Sequence, residues 1–400
     1  MTASKNAVCA AQGFRAAGVA CGLKAKDRPD LALVVSDRPA AAAGLLTTNL
    51  VCGAPVIVTR RHLADGQARA IVANAGNSNA CTGAHGEADA MAMCRAVADG
   101  IGAAASDVLV ASTGVIGRPL PMEKIRAGIA KALAEASAEG GSLAASAIMT
   151  TDTVLKEAVR RIHLQGRTVA IGGMAKGAGM IAPCLATMLA FVTTDAAISA
   201  ADLRPLLLRA ADASFNRLTV DGDTSTSDML LALANGASGI APLQPGTPDY
   251  EAFGSALCEV CRELAQMIAR DGEGATKFVT VRVSGAPNER DAHQAARTVA
   301  ESPLVKTALF GGDPNWGRIA AALGRSGVVF DPDRLSIRVD DLLLFERGMP
   351  AEFSLKEAER RFREKVITIH ADLGAGDAET EVYTCDMSYD YVKINAEYTT

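Results

Sequence analysis

The sequence predicts a layered α/β fold, with sheets sandwiched between helices. Three observations predict it. Short β-rich runs alternate with Ala-rich segments of helical spacing, with hairpin-like stretches between them. Hydrophobic residues make up 49% of the 400-residue chain but aromatics only 4%, so the core must be built from Ala, Val, Leu and Ile at close backbone approach. Thirty-seven glycines supply tight turns. A chain of this length can bury one large domain, or a main domain with a smaller one.

Taken in order, Leu31–Ser36, Pro55–Thr59 and Ala70–Ala73 read as strands from their β-branched content. Glu87–Ala105 has helical spacing. Asp107–Ser112 is a strand running into the turn Thr113–Gly117, and Met122–Ala136 is an amphipathic helix preceded by Pro119 and Pro121. Arg167–Gly172 is a strand, followed by the glycine-rich segment GGMAKGAGMIAP (172–183) and the strand-like Thr187–Thr193. Leu203–Ala213 is helical. The stretch FNRLTVDGDTSTSD (215–228) is a polar loop. A long helix Tyr250–Arg270, a strand Lys277–Val283, a helix Asp291–Ala300 and a Gly/Pro turn Phe310–Arg318 follow, with strands and one helix beyond.

Composition excludes several functions. The net charge is only −5 and charged residues make up 21%, with no basic patch for nucleic acid or a membrane surface. No apolar run approaches a membrane span, and no signal-peptide core opens the chain. The acid-poor stretch before Asp27 is too short for a presequence if structure begins near Gly13. Nine scattered cysteines, an odd number, fit reduced thiols and a cytoplasmic location better than a disulfide framework. Cys258 and Cys261 have CxxC spacing but lie in the helical ALCEVCRELAQMIA, with no second pair to complete a metal site. Asp221, Asp223 and Asp228 meet no calcium-loop spacing and are read as structural hydrogen-bonders near the site. No metal and no cofactor is expected. The five histidines stand far apart and carry no catalytic motif.

The glycine-rich segment is no phosphate cradle. Lys176 is followed by Gly177 and Ala178 where a P-loop needs Ser or Thr, and Pro183 stands where a dinucleotide fingerprint needs a helix. Small residues instead lead to Ala186-Thr187 at the head of a strand. A Thr held there can attack the carbonyl of its own preceding peptide bond and become an N-terminus. Its α-amine, with an ordinary pKa of about 7.7–8.0, is then a usable base beside its own hydroxyl. Ala-Thr is a common dipeptide, so on spacing alone a plain turn between two strands explains the segment too.

The segment KGAGMIAPCLATMLAFVTTDA (176–196) resembles the cleavage signature of the ornithine acetyltransferase family, the glutamate N-acetyltransferases of arginine biosynthesis. Seven further motifs are similar to that family's, in its order: NAGNSNACTG (74–83), STGVIG (112–117), IMTTDT (148–153), FNRLTVDGDTSTSD (215–228), DGEGATK (271–277), GGDPNWGRI (311–319) and YVKINAEYTT (391–400). The resemblance spans residue 13 to the C-terminus. It implies Thr187 as nucleophile, cleavage between Ala186 and Thr187, and Thr113 with Gly114 as the oxyanion-stabilising pair. It implies Thr153, Lys176, Thr187, Glu273, Asn395 and Thr400 as substrate-binding residues, with Lys176 suited to a carboxylate and Glu273 to an ammonium. Many relatives place Asn-Met before the scissile Ala-Thr, where this chain has Cys184-Leu185.

The implied reaction is ping-pong. An acetyl group passes from N-acetylornithine to Thr187 and then to glutamate, with acetyl-CoA as a further donor in some relatives. The implied fold is the self-cleaving, N-terminal-nucleophile-like one, with a smaller C-terminal region. Residues 1–186 and 187–400 would form two intertwined fragments, assembled as a heterotetramer of two of each. A hydrolase on the same scaffold (an aminopeptidase or amidase) and a non-catalytic protein that never matures are the alternatives.

Overall fold

A computed structural model of the chain describes residues 5–25, 27–181 and 188–397. Among these residues the larger sheet has eight strands: β1 (Phe14–Val19), β2 (Leu31–Leu46), β3 (Gln67–Asn77), β4 (Val108–Val115), β5 (Lys156–Leu164), β6 (Arg167–Lys176), β7 (Leu189–Thr194) and β8 (Met229–Ala234). Neighbours run β4-β3-β2-β8-β7-β6-β5, and β1 pairs with the first part of β2. Six helices accompany it: α1 (Ala54–His62), α2 (Gly83–Ile101), α3 (Met122–Glu135), α4 (Gly141–Ile148), α5 (Ala200–Asp212) and α6 (Pro248–Arg270).

This sheet folds back on itself at β2. Residues 31–36 of β2 pair with β1, residues 41–46 pair with β8, and a register shift falls between Val35 and Ala40. In a flat sheet β3 and β5, five steps apart, would be separated by about 24 Å. Helix α4, about 12 Å long, packs against both. Two layers result, β1–β4 and β5–β8, and their inner faces share one core that includes Ile71, Leu109, Met174, Phe191 and Leu231. Helices α2 and α3 cover the outer face of the first layer, and α5 and α6 that of the second. The expected sandwich of sheets between helices is what the chain builds.

The C-terminal region holds a six-stranded sheet of β9 (Phe278–Ala286), β10 (Ser336–Val339), β11 (Leu342–Glu346), β12 (Met349–Pro350), β13 (Val366–Asp372) and β14 (Ala378–Cys385), ordered β12-β11-β10-β13-β9-β14. Helices α7 (Glu289–Ala300), α8 (Pro303–Gly311), α9 (Trp316–Gly324) and α10 (Leu355–Phe362) share its core. The chain then turns into α11 (Tyr389–Glu397).

Three expectations are corrected. Pro55–Thr59 is helical, in α1, not a strand. Pro at the helix start is compatible with that, and burial of Val56 and Val58 outweighs their β preference. Thr59 fixes the helix to β4, its hydroxyl donating to Val110 O at 2.7 Å and accepting from Val110 N at 2.9 Å. The turn expected over Phe310–Arg318 is confined to the residues between α8 and α9. The strand β6 runs on through the glycines to Lys176, so only the later part of the glycine-rich segment is a loop. The expected strand Thr187–Thr193 is present from Leu189 onward, and Thr187 lies outside the described residues. No helix among the described residues is long and apolar enough to cross a membrane.

Candidate active site

Strand polarity brings the site together. β3 and β4 run parallel, β7 and β8 run parallel, and β6 is antiparallel to β7. The end of β6 therefore meets the beginnings of β7 and β8, and the end of β4, in the other layer, joins them around one cavity. It has a volume of about 100 Å³ and is lined by Thr113, Gly114, Lys176, Asp228, Glu273 and Asn395 among others.

Thr113 and Gly114 close β4 against a bulge in β3 at Gly76/Asn77. Gly114 has φ +125°, and a Cβ there would lie 2.4 Å from the Gly76 carbonyl carbon, so only glycine fits. The bulge is held from beneath. Ser112 Oγ donates to Asn74 Oδ1 at 2.6 Å, and Asn74 Nδ2 donates to Asn77 O at 2.8 Å. A hydroxyl and a neighbouring peptide N–H are thus fixed at the cavity wall, the equipment needed to stabilise an oxyanion.

Lys176 ends β6 and is buried. Burial pulls its ammonium below the ordinary lysine range; Asp152, Asp228 and Glu273 oppose that shift and Lys156 adds to it. Behind it lies a buried ion cluster. Lys156 Nζ is 2.7 Å from Asp152 Oδ1 and 2.5 Å from Asp271 Oδ2. Asp152 also accepts from Gly177 N at 2.7 Å and Thr150 N at 2.9 Å. Burial alone would raise its carboxyl, but Lys176 and Lys156 hold it well below the usual carboxylate range.

Glu273 follows α6 and is tied to the glycine-rich loop by its N–H, which donates to Ala178 O at 2.8 Å. Its Oε2 accepts from Asn395 Nδ2 of α11 at 2.8 Å. A Cβ on Gly179 would sit 2.4 Å from the Glu273 carboxyl, so a larger residue there would have to push that carboxyl from its place. Asp221 holds the next stretch, accepting from Met180 N at 2.7 Å and Ile181 N at 2.8 Å. Val220 N and Thr219 Oγ1 donate to Ile181 O at 2.7 and 3.1 Å. Burial pushes the Asp221 carboxyl up, against the pull of the backbone N–H groups.

Five of the residues singled out from sequence, Thr113, Gly114, Lys176, Glu273 and Asn395, therefore line one cavity. Thr153 is placed differently. Its hydroxyl and its N–H both bind Asp271, and it lines a separate groove beside Lys393 and Glu397. Thr150 and Thr151 of the same loop reach the cavity instead. Ala186, Thr187, Cys184, Leu185 and Thr400 lie outside the described residues. Asn395 sits on helix α11. Cys258 and Cys261 belong to α6, where burial raises both thiols.

Sequence reasoning missed Asp152, Lys156 and Asp271, and it read Asp221 and Asp228 as structural. IMTTDT and DGEGATK were both singled out, yet only the fold shows that Lys156 joins their carboxylates. Asp228 is the most unusual of the set. It is 3% exposed, and its Oδ2 has no hydrogen-bond partner among the described residues. Burial pushes its carboxyl well above the usual range, against the opposing pull of Lys176 and Ser225.

A sequence profile of the ArgJ family matches residues 15–400. The arginine biosynthesis bifunctional protein ArgJ of Symbiobacterium thermophilum is 53% identical over 395 residues, covering 98% of each chain. That of Geobacter sulfurreducens is 49% identical, covering 97% of this chain and 99% of its own. A crystal structure of the ArgJ protein from Bacillus halodurans shares 42% identity at a TM-score of 0.51, over 52% of this chain and 98% of that one. On sequence matches that run nearly end to end, the chain belongs to the ArgJ family.

Proposed function

We propose that this chain is a self-cleaving acetyltransferase of arginine biosynthesis that moves an acetyl group from N-acetylornithine to glutamate through an acetyl-Thr187 ester. The observation that carries the reading is the cavity itself. An oxyanion-type pair, a buried cation and a carboxylate line one small space, where the strands leading to and from residues 182–187 meet. The Thr187 hydroxyl attacks the acetyl carbonyl while its own α-amine takes the proton. Thr113 and Gly114 stabilise the tetrahedral oxyanion. Lys176 pairs with a substrate carboxylate, and Glu273, steadied by Asn395, receives the ornithine ammonium. Thr400 and Thr153, the latter held by Asp271 in the groove beside the cavity, complete the substrate set. No cofactor is needed for this chemistry.

Cleavage between Ala186 and Thr187 gives fragments 1–186 and 187–400. They stay joined because β6 and β7, on either side of the break, pair with each other, and β8 pairs with β2. The Bacillus halodurans chain pairs almost entirely with just over half of this one, as a fragment divided near the middle would. We assign the enzyme to the cytoplasm, on cysteines left unpaired among the described residues, and assign it an assembly of two copies of each fragment. The relatives' bifunctional naming supports acetyl-CoA as a second donor. Family membership favours the transferase over the hydrolase.

The test follows an isotope-labelled acetyl group on N-acetylornithine in the presence of glutamate. Labelled N-acetylglutamate should appear in step with ornithine. Labelled free acetate in its place would overturn the reading.

A further inference from the structure

An α-amino acid brings two charges into this cavity, a carboxylate and an ammonium. Lys176 offers a cation, with Asp152, Asp228 and Glu273 acting on its charge. Asp228 lines the same cavity, buried, with Oδ2 lacking any hydrogen-bond partner among the described residues. An unpartnered buried carboxylate oxygen is costly to the fold, and such groups call for a specific partner. The backbone fixes where this one stands. Thr47 N donates to Asp228 O at 3.0 Å, and Met229 N donates to Met188 O at 2.9 Å, so Asp228 is pinned between β2 and β7 at the mouth of β8. Ser225 bonds the carboxyl through its side chain and backbone.

We propose that Asp228 is the proton carrier for the substrate amines, accepting a proton from the ammonium of the incoming amino acid and returning one to the nitrogen that departs. The inference rests on the acetyl-transfer reading above and adds a catalytic residue to it. In the first half-reaction the Thr187 hydroxyl oxygen bonds to the acetyl carbon and its proton passes to the Thr187 α-amine. The carbon–nitrogen bond then breaks. The departing nitrogen takes that proton from the α-ammonium and a second from the Asp228 carboxyl, and ornithine leaves as an ammonium. In the second half-reaction the ammonium of glutamate gives a proton to the Asp228 carboxylate. The free amine attacks the ester carbon and loses one further proton to the Thr187 α-amine, which passes it to the Thr187 oxygen as the ester bond breaks. One ammonium enters, one leaves, and Asp228 ends each turnover protonated as it began. Burial of its carboxyl brings its proton affinity toward that of an amine, as such an exchange requires.

The test measures kcat/KM for the acceptor, which in a ping-pong reaction reports only the second half, on mature wild type and on Asp228→Asn. At about pH 7.5, where the carboxylate beside the α-amine of free glutamate keeps that amine protonated, the variant should lose about 10²-fold with glutamate. It should stay within about threefold of wild type with hydroxylamine, which is already neutral there and has no ammonium proton to give to Asp228. Between roughly pH 8.2 and 9.2 the Thr187 α-amine is already neutral, above its ordinary range of about 7.7–8.0, while the α-amine of free glutamate, raised by its neighbouring carboxylate, is still mostly ammonium; there the wild-type value for glutamate should be flat and the variant's should rise about tenfold per unit. Equal losses with both acceptors, or a variant profile as flat as wild type's, would overturn the proposal. If the variant fails to mature, the wild-type profile decides: a tenfold rise per unit means that glutamate binds already deprotonated, and the proposal falls. A wild type that transfers no acetyl to glutamate would remove the underlying reading instead, and this inference with it.

Discussion

Lys156 holds two buried carboxylates with a side chain that is itself wholly buried. Replacing it with Met would remove the ammonium that Asp152 and Asp271 share, leaving Lys176 as the cation beside Asp152. Breaking a buried pair in this way costs about 3–5 kcal/mol, so Lys156→Met should show a matching fall in unfolding free energy by urea titration. The two perturbed aspartates act on stability with opposite signs. The folded-state pKa of Asp152 is depressed, so its contribution is present above its unfolded value of about 3.9 and is lost as pH falls through the folded value. That of Asp228 is raised, so its contribution is full below about pH 3.9 and is lost as pH rises through the folded value. Asp228→Asn should therefore melt at a higher temperature than wild type near neutral pH, with the gap closing toward about pH 4. A variant that melts lower at neutral pH would contradict this account of the carboxyl. At the cavity wall, Thr113→Val removes one oxyanion donor and should lower kcat by about 10²–10³-fold while leaving the melting temperature nearly unchanged. These residues divide by legibility. Thr113, Gly114, Lys176, Glu273 and Asn395 were found through a family resemblance, carried by short motifs that stay contiguous in sequence. Asp228 stood in such a motif too, but a missing hydrogen-bond partner is a property of three-dimensional surroundings.

The glycine-rich loop is the element on which the proposed self-cleavage would turn. Asp221 grips Met180 and Ile181 by their N–H groups, and Thr219 and Val220 hold the Ile181 carbonyl from the other side. Met180 is held at φ +54°, in the left-handed region that non-glycine residues seldom occupy. Two charge-assisted hydrogen bonds are worth about 1.5–3 kcal/mol each. If they position the chain for attack on its own backbone, Asp221→Ala should slow the appearance of the two fragments by at least about tenfold. A time course on a denaturing gel checks this, and an unchanged rate would mean that the grip is incidental. Element type was legible where period and length agreed, as in α3, α6 and α7. It failed at α1, where a β-branched run is drawn into a helix by burial and by the Thr59 contact with β4. It was also silent on α11, whose short polar pattern carries little periodicity and whose anchoring, Asn395 to Glu273, lies far away in sequence.

At the scale of the molecule, the layered sandwich was legible because strand-like and helix-like segments alternate over most of the chain. The folding of one sheet into two layers was not, since it rests on β2 changing partners at a bulge. That architecture makes a cut at Ala186/Thr187 harmless to cohesion. The two products share the pairing of β6 with β7 and of β2 with β8, along with the inner core between the layers. They should co-elute in native chromatography and part only in denaturant. The central claim is that the chain cuts itself before Thr187 and then carries acetyl on the residue so exposed. Intact-mass spectrometry of the purified protein, with and without N-acetylornithine, tests it most directly. The account predicts two fragments, residues 1–186 and 187–400, with an acetyl adduct on the second that appears with the donor and disappears when glutamate is added. A single uncut chain that takes up no acetyl group would contradict it.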